Sequence, residues 1–201
     1  MLEMSGPHAV RLSALVEKVN GGLLAHLDAI DVAGHNRAVA LARHVLLAGG
    51  KRLRPLIGIL VYEIMGGRDL DGVMPIALSF EFIHTATLVH DDINDNAKLR
   101  RGVPTLHERF TPAEAIIAGD FMFVQGFSLA APLDSSLVDV ISRNCVNMVT
   151  AEFAQIDQRG NVDASYESQH SIIRGKTAGL FAGCCQAAGH LAGASSEQMD
   201  V

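Results

Sequence analysis

Between about Gly72 and Asn96 the sequence is apolar for most of its length and then ends in His90-Asp91-Asp92-Ile93-Asn94-Asp95. Length and composition predict one long helix here. Phe80, Phe82, Ile83, Leu88 and Val89 come before the acids, so the helix reads as buried up to where the carboxylates begin. Asp91 and Asp95 are four residues apart, which puts their carboxylates on one face, about 6 Å apart along the axis. Such a cluster repels itself unless a cation sits among its members. A hard divalent ion sharing oxygens with a diphosphate suits that geometry, and Mg2+ is the usual one; the plainer alternative is a solvated acidic helix end. His84 falls two turns before Asp91 on the same stripe, where a ligand-facing role competes with that of a satisfied core histidine.

The rest of the chain reads as helix after helix, and no segment reads as a strand. Helices are expected over about Ala9 to Ile30 and about Asn36 to Leu47, the second stopping at Gly49-Gly50. Another starts with Pro55 as its first residue and ends at Gly66-Gly67. Thr111-Pro112-Ala113-Glu114 is a capping box that opens a helix running through Ala130. Two more are expected over about Asp134 to Gln158 and Ala164 to Leu191. With 201 residues, 49% hydrophobic and 19% charged, the chain has material for a sizeable core, so the expectation is a single all-α domain over residues 1–201.

The net charge of −6 argues against a nucleic-acid partner. Cys145, Cys184 and Cys185 contain no C-x-x-C pair and read as small buried hydrophobes of a cytoplasmic protein. The opening MLEMSGPHAV lacks the pattern of a signal peptide. Thr177 to Ser196 carries no charge, but its Ala, Gly, Gln186 and His190 make a poor membrane span and a better close-packed helix. Ser195-Ser196-Glu197-Gln198 is a second capping box, so the sequence reads as stopping where its next helix starts.

Three cationic groups accompany the acids: Lys51, Arg52 and Arg54; Arg100 and Arg101; and Arg174 and Lys176 with Thr177. Adjacent arginines can grip phosphate oxygens in bidentate fashion. Gly175-Lys176-Thr177 is not a P-loop, because the required earlier glycine is replaced by His170 and no strand precedes it. The combination suggests two diphosphates and an apolar tail.

Taken in order, Gly49-Gly50-Lys51-Arg52-Leu53-Arg54-Pro55, His84, Asp91-Asp92-x-x-Asp95, Arg100-Arg101-Gly102, Gly119-Asp120 and Lys176-Thr177 resemble the trans-isoprenyl diphosphate (polyprenyl) synthase family from about residue 37 onward. The resemblance implies an all-α isoprenoid synthase-type bundle around a central cavity, incomplete at the C-terminus. It implies condensation of isopentenyl diphosphate with an allylic diphosphate. Asp91 and Asp95, supported by Asp92, would hold Mg2+, with Asp91, Asp95 and Lys176 the catalytic residues. Arg100, Lys176 and Thr177 would contact the allylic diphosphate, and Lys51, Arg54, His84 and Arg101 the isopentenyl diphosphate. Family members are commonly homodimers, so a homodimer or a partner subunit is expected.

Thr87 and Ala86 stand four and five residues before Asp91. In that family small residues there accompany longer products, so a product longer than farnesyl diphosphate is expected; the alternative is two small residues at a helix crossing. One departure is large: no second D-D-x-x-D occurs in the sequence. That leaves open a non-catalytic subunit or an inactive fragment of a heteromeric synthase. A terpene cyclase fits less well, because a cyclase has no second diphosphate for Lys51, Arg54 and Arg101 to bind.

Overall fold

The computed structural model describes residues 6–199, so the part of the signal-peptide reading that falls on residues 1–5 lies outside the described residues. The chain folds as α1 (Pro7–Ile30), α2 (Arg37–Leu47), α3 (Leu53–Ile64), α4 (Leu70–Asn94), a short hairpin of β1 (Leu99–Arg100) and β2 (Val103–Pro104), α5 (Leu106–Arg109), α6 (Pro112–Ala130), α7 (Ser135–Asp157), α8 (Tyr166–Ile173), a π turn (Arg174–Ala178), α9 (Gly179–Leu191) and α10 (Ser196–Met199).

Side-chain caps explain most helix starts. Asn36 accepts from the Ala38 and Val39 amides, Asp69 from Asp71, Asp134 from Ser136 and Ser165 from Ser168. The Thr111 hydroxyl accepts from the Glu114 amide as expected, with Pro112 at the first helical position. The second capping box also forms: the Gln198 amide donates to Ser195 Oγ, and the Ser195 amide donates to Gln198 Oε1.

α4 is the axis of the bundle. It packs most extensively on α6, and also on α3, α9 and α1. Phe80, Phe82, Ile76, Ile83 and Ala86 on it are fully buried. Both α4 and α6 are long and apolar enough to cross a bilayer, but 72% of the apolar window of α4 is buried inside the protein. The uncharged stretch around α9 packs as a close-approach helix. Cys184 lies against Gly58 of α3, so tightly that a methyl at Gly58 would meet its Sγ at 2.6 Å. All three cysteines are free, and burial pushes the Cys184 thiol up.

Three sequence expectations need correction. The 99–104 segment, read as without strands, is a hairpin whose turn residues Arg101 and Gly102 both have positive φ, 54° and 83°. That is the backbone a two-residue hairpin turn demands. Pro55 is the third residue of its helix, not the first, because Leu53 and Arg54 already form the first turn. The helix expected over Ala164 to Leu191 is interrupted by the π turn at Arg174–Ala178.

Candidate active site

The acidic motif closes α4, with Asp95 as its C-cap residue, and each of its carboxylates faces a cation from a different element. Asp92 is buried and accepts from Arg100 of β1, with Arg100 Nε at 2.9 Å and a second contact from Nη2. That bond raises the pKa of Arg100. Asp95 accepts from Arg159, in the loop after α7, at 2.8 Å. Asp91 lies 3.7 Å from Lys176 of the π turn, and Lys176 lies 2.5 Å from Glu152 of α7. Burial pushes the Asp91 carboxyl up, Lys176 opposes the shift, and Glu152 and Asp95 add to it.

Two neighbouring cavities open on this face. One, of about 490 Å³, is lined by Lys51, Arg52, Arg54, His84, Arg101 and Phe181 among others. The other, of about 220 Å³, has Asp91, Glu152, Lys176 and Thr177 at its polar end and Thr87, Leu88, Phe123, Met148, Val149 and Leu180 along its apolar walls. Arg54 and His84 line both. Sequence-distant cations and carboxylates are therefore gathered at two adjoining pockets.

The first cavity is cationic and partly buried. Arg54 stacks on the Phe181 ring with its guanidinium carbon 4.5 Å from the centroid, and its buried Nε has no partner. An orphaned buried guanidinium donor is costly unless an anion completes it. Burial lowers the pKa of Arg54 and of Arg101, and Arg52 lowers Arg101 further. His84 is pushed down to about 3, chiefly by burial and then by Arg54, Arg101, Arg52 and Arg100. Its imidazole is thus neutral near pH 7, with one N–H free to donate.

The structure separates residues that the sequence grouped. Arg52 lines the cation cavity, but its guanidinium is engaged by Glu81 Oε1 at 2.7 Å, the Leu46 carbonyl at 2.7 Å and Asn20 Oδ1 at 2.8 Å. It is a structural residue, held at φ 49°. Thr87 lines the second cavity and donates to the His84 carbonyl at 2.7 Å, whereas Ala86 is fully buried in the core. Gly119 admits His90: a methyl there would lie 2.2 Å from His90 Nε2. That nitrogen sits 3.3 Å from the Ile116 carbonyl and 3.6 Å from Asp120. Glu152, Arg159 and Phe181 were not singled out from sequence. No local motif marks them, since each reaches the site from a helix or loop remote in the chain.

Among the described residues no three His, Cys, Asp or Glu side chains converge on one point. The carboxylate donors of Asp91 and Asp95 nevertheless suit a hard divalent cation. Such an ion takes one or two protein carboxylates and completes its shell with water and phosphate oxygens.

Comparison with known proteins assigns the class. The polyprenyl synthetase family model matches residues 35–201, and the chain belongs to that family. It is 33% identical over 196 residues to octaprenyl diphosphate synthase of Escherichia coli (strain K12), covering 91% of this chain and 59% of that protein. It is 36% identical over 154 residues to heptaprenyl diphosphate synthase component 2 of Geobacillus stearothermophilus, covering 76% of this chain and 48% of that one. A solved polyprenyl synthase from Caulobacter crescentus, complexed with calcium and isoprenyl diphosphate, superimposes with a TM-score of 0.84 at 32% identity over 94% of this chain and 58% of that one. The fold is therefore the isoprenoid-synthase helical bundle, and the chain spans about half to three fifths of the length of those relatives.

Proposed function

We propose that this chain carries the first part of the active site of a prenyltransferase, one that condenses isopentenyl diphosphate with an allylic diphosphate, within a single domain over residues 1–201. The observation that carries the reading is the pair of adjoining cavities, one cationic and one with carboxylates at its head and apolar walls below. Two diphosphates bound side by side bring the double bond of one substrate to the ionising carbon of the other.

In this reading Lys51, Arg54 and Arg101 bind the isopentenyl diphosphate. The orphaned Nε of Arg54 supports that role. His84, neutral, donates one hydrogen bond to the same group. Lys176, Thr177 and Arg100 contact the allylic diphosphate and stabilise its departure. Mg2+, held by Asp91 and Asp95 with Asp92 in support, would neutralise charge on the leaving diphosphate. The apolar walls shield the allylic cation from water. Thr87, facing the cavity one turn below Asp91, leaves room for a tail and supports a product longer than farnesyl diphosphate. The work belongs to the cytoplasm, where both diphosphates are water-soluble at the head.

A second reading is that of a subunit completed by a partner. The match to a relative named component 2 is consistent with it. Val146, Val149, Phe153 and Ile156 form an exposed stripe on α7 that a second copy or a partner subunit could cover.

Incubation of the purified chain with Mg2+, radiolabelled isopentenyl diphosphate and farnesyl or geranylgeranyl diphosphate tests both. Elongated product supports the synthase reading. Diphosphate binding without product means half a site, a fragment or a subunit awaiting its other half, and neither binding nor product overturns both.

A further inference from the structure

Glu152 is a carboxylate to which the proposed chemistry gives no task. It lies on α7, across the second cavity from α4, and lines that cavity together with Asp91, Lys176 and Thr177. Its Oε2 is 2.5 Å from Lys176 Nζ, whereas Asp91 Oδ2 is 3.7 Å away. A lysine head sits on a flexible four-carbon stem, so its position is set by the groups that hold it. Two carboxylates compete for this one.

The backbone is shaped to favour the Glu152 side. Gly175 presses the π turn onto α7 one residue from Glu152. A methyl at 175 would lie 2.7 Å from Ala151 Cβ and 3.0 Å from the Asn147 carbonyl oxygen. Any side chain at 175 would therefore lift the turn off α7 and separate Lys176 from Glu152. π turns within helices frequently mark functional positions, because the extra residue re-aims the side chains around it.

We propose that Glu152 is a positioning residue that anchors the Lys176 ammonium on the α7 side of the cavity and so keeps it from closing to a hydrogen bond with Asp91. This leaves the Asp91 carboxylate open to a cation while the lysine faces an arriving diphosphate. The inference rests on the reading of Asp91 as cation-binding and of Lys176 as a diphosphate contact. Removing the Glu152 carboxylate releases the ammonium to Asp91, its other neighbour, where it opposes the metal. Glu152→Gln keeps an oxygen acceptor for Lys176 and preserves most of the arrangement.

The test is calorimetric titration of the purified chain with inorganic pyrophosphate in Mg2+, with a thermal melt to confirm folding. Glu152→Ala is expected to weaken Mg2+-dependent binding roughly tenfold, and Glu152→Gln to stay within about threefold. In a Lys176→Ala background, Glu152→Ala is expected to change nothing further, because the residue acts through the lysine. Where Glu152→Ala does not fold, Glu152→Asp, which withdraws the carboxylate by one methylene, takes its place with the same expected pattern. Unchanged binding in Glu152→Ala overturns the proposal. So does an equal loss in both backgrounds, or a loss in Glu152→Gln as large as in Glu152→Ala. If Lys176→Ala alone binds pyrophosphate like the parent chain, the diphosphate role of the lysine falls first and the positioning role with it. That outcome is recognisable because it appears in the single Lys176 variant.

Discussion

Arg52→Ala is predicted to be among the most damaging single substitutions in the chain, although Arg52 lies in a cluster of cations beside a cavity. Arg52 and Glu81 form an ion pair whose side chains are only 3% and 2% exposed. The guanidinium also satisfies Asn20 and the Leu46 carbonyl, so one truncation removes three bonds, two of them fully buried. It leaves the Glu81 carboxylate buried without its hydrogen-bonded partner, with Arg54 and Arg101 acting on it only through space. Breaking a buried pair from one side costs about 3–5 kcal/mol, more than the bond itself is worth, because the remaining charge stays desolvated. Urea unfolding reads this directly: a loss of that size lowers the midpoint by about 1–2 M. Replacing both partners, as Arg52→Met with Glu81→Leu, is expected to recover most of the loss, since no orphaned charge remains. A single Arg52→Ala variant within about 0.5 kcal/mol of the parent chain would refute the reasoning, as that is the range of an ordinary surface change.

Three further predictions follow from the site. Because the folded pKa of His84 is about 3, below the unfolded value of about 6.5, the unfolded chain binds more protons between those limits. Stability should therefore fall as pH drops from 6.5 toward 3, with His84 contributing up to about 2 kcal/mol of that fall between pH 7 and pH 5. Urea midpoints at the two pH values should converge in His84→Asn. Gly119→Ala places a methyl 2.2 Å from His90 Nε2, so the partly exposed His90 ring must swing away; the expected cost is at most about 1 kcal/mol, read as a slightly lowered thermal midpoint. Under the proposed synthase reading, Thr87→Phe should fill the cavity below Asp91 and shorten the product resolved by chromatography. Ala86→Phe, at a fully buried position, should instead cost stability, and an unaltered product from an active Thr87→Phe preparation would remove Thr87 from the tail path.

The helices were legible because their information is local. Asn36, Asp69, Thr111, Asp134 and Ser165 announce their own helix starts through side chains that reach only two or three residues. The 91–95 carboxylates were legible for the same reason, since helical spacing alone puts them together. What the sequence could not show depends on contacts between distant elements. The hairpin at 99–104 is too short to show alternation, and its turn uses Arg101-Gly102, where Asn-Gly or Asp-Gly would be the usual signal. Arg52 reads as one of three neighbouring cations until α4 brings Glu81 against it. Glu152 and Arg159 join the acidic site only because α7 and the loop after it fold back over α4. The π turn leaves no compositional trace; the tight packing of Gly175 on Ala151 accompanies it only in the folded chain.

Whether the two cavities hold two diphosphates side by side is read from a calorimetric titration of inorganic pyrophosphate into the purified chain with Mg2+ present. Two saturable sites are expected. Lys51→Ala with Arg101→Ala should abolish one of them, and Lys176→Ala should weaken the other while leaving the first intact. A single site, or two sites indifferent to those substitutions, would contradict that arrangement.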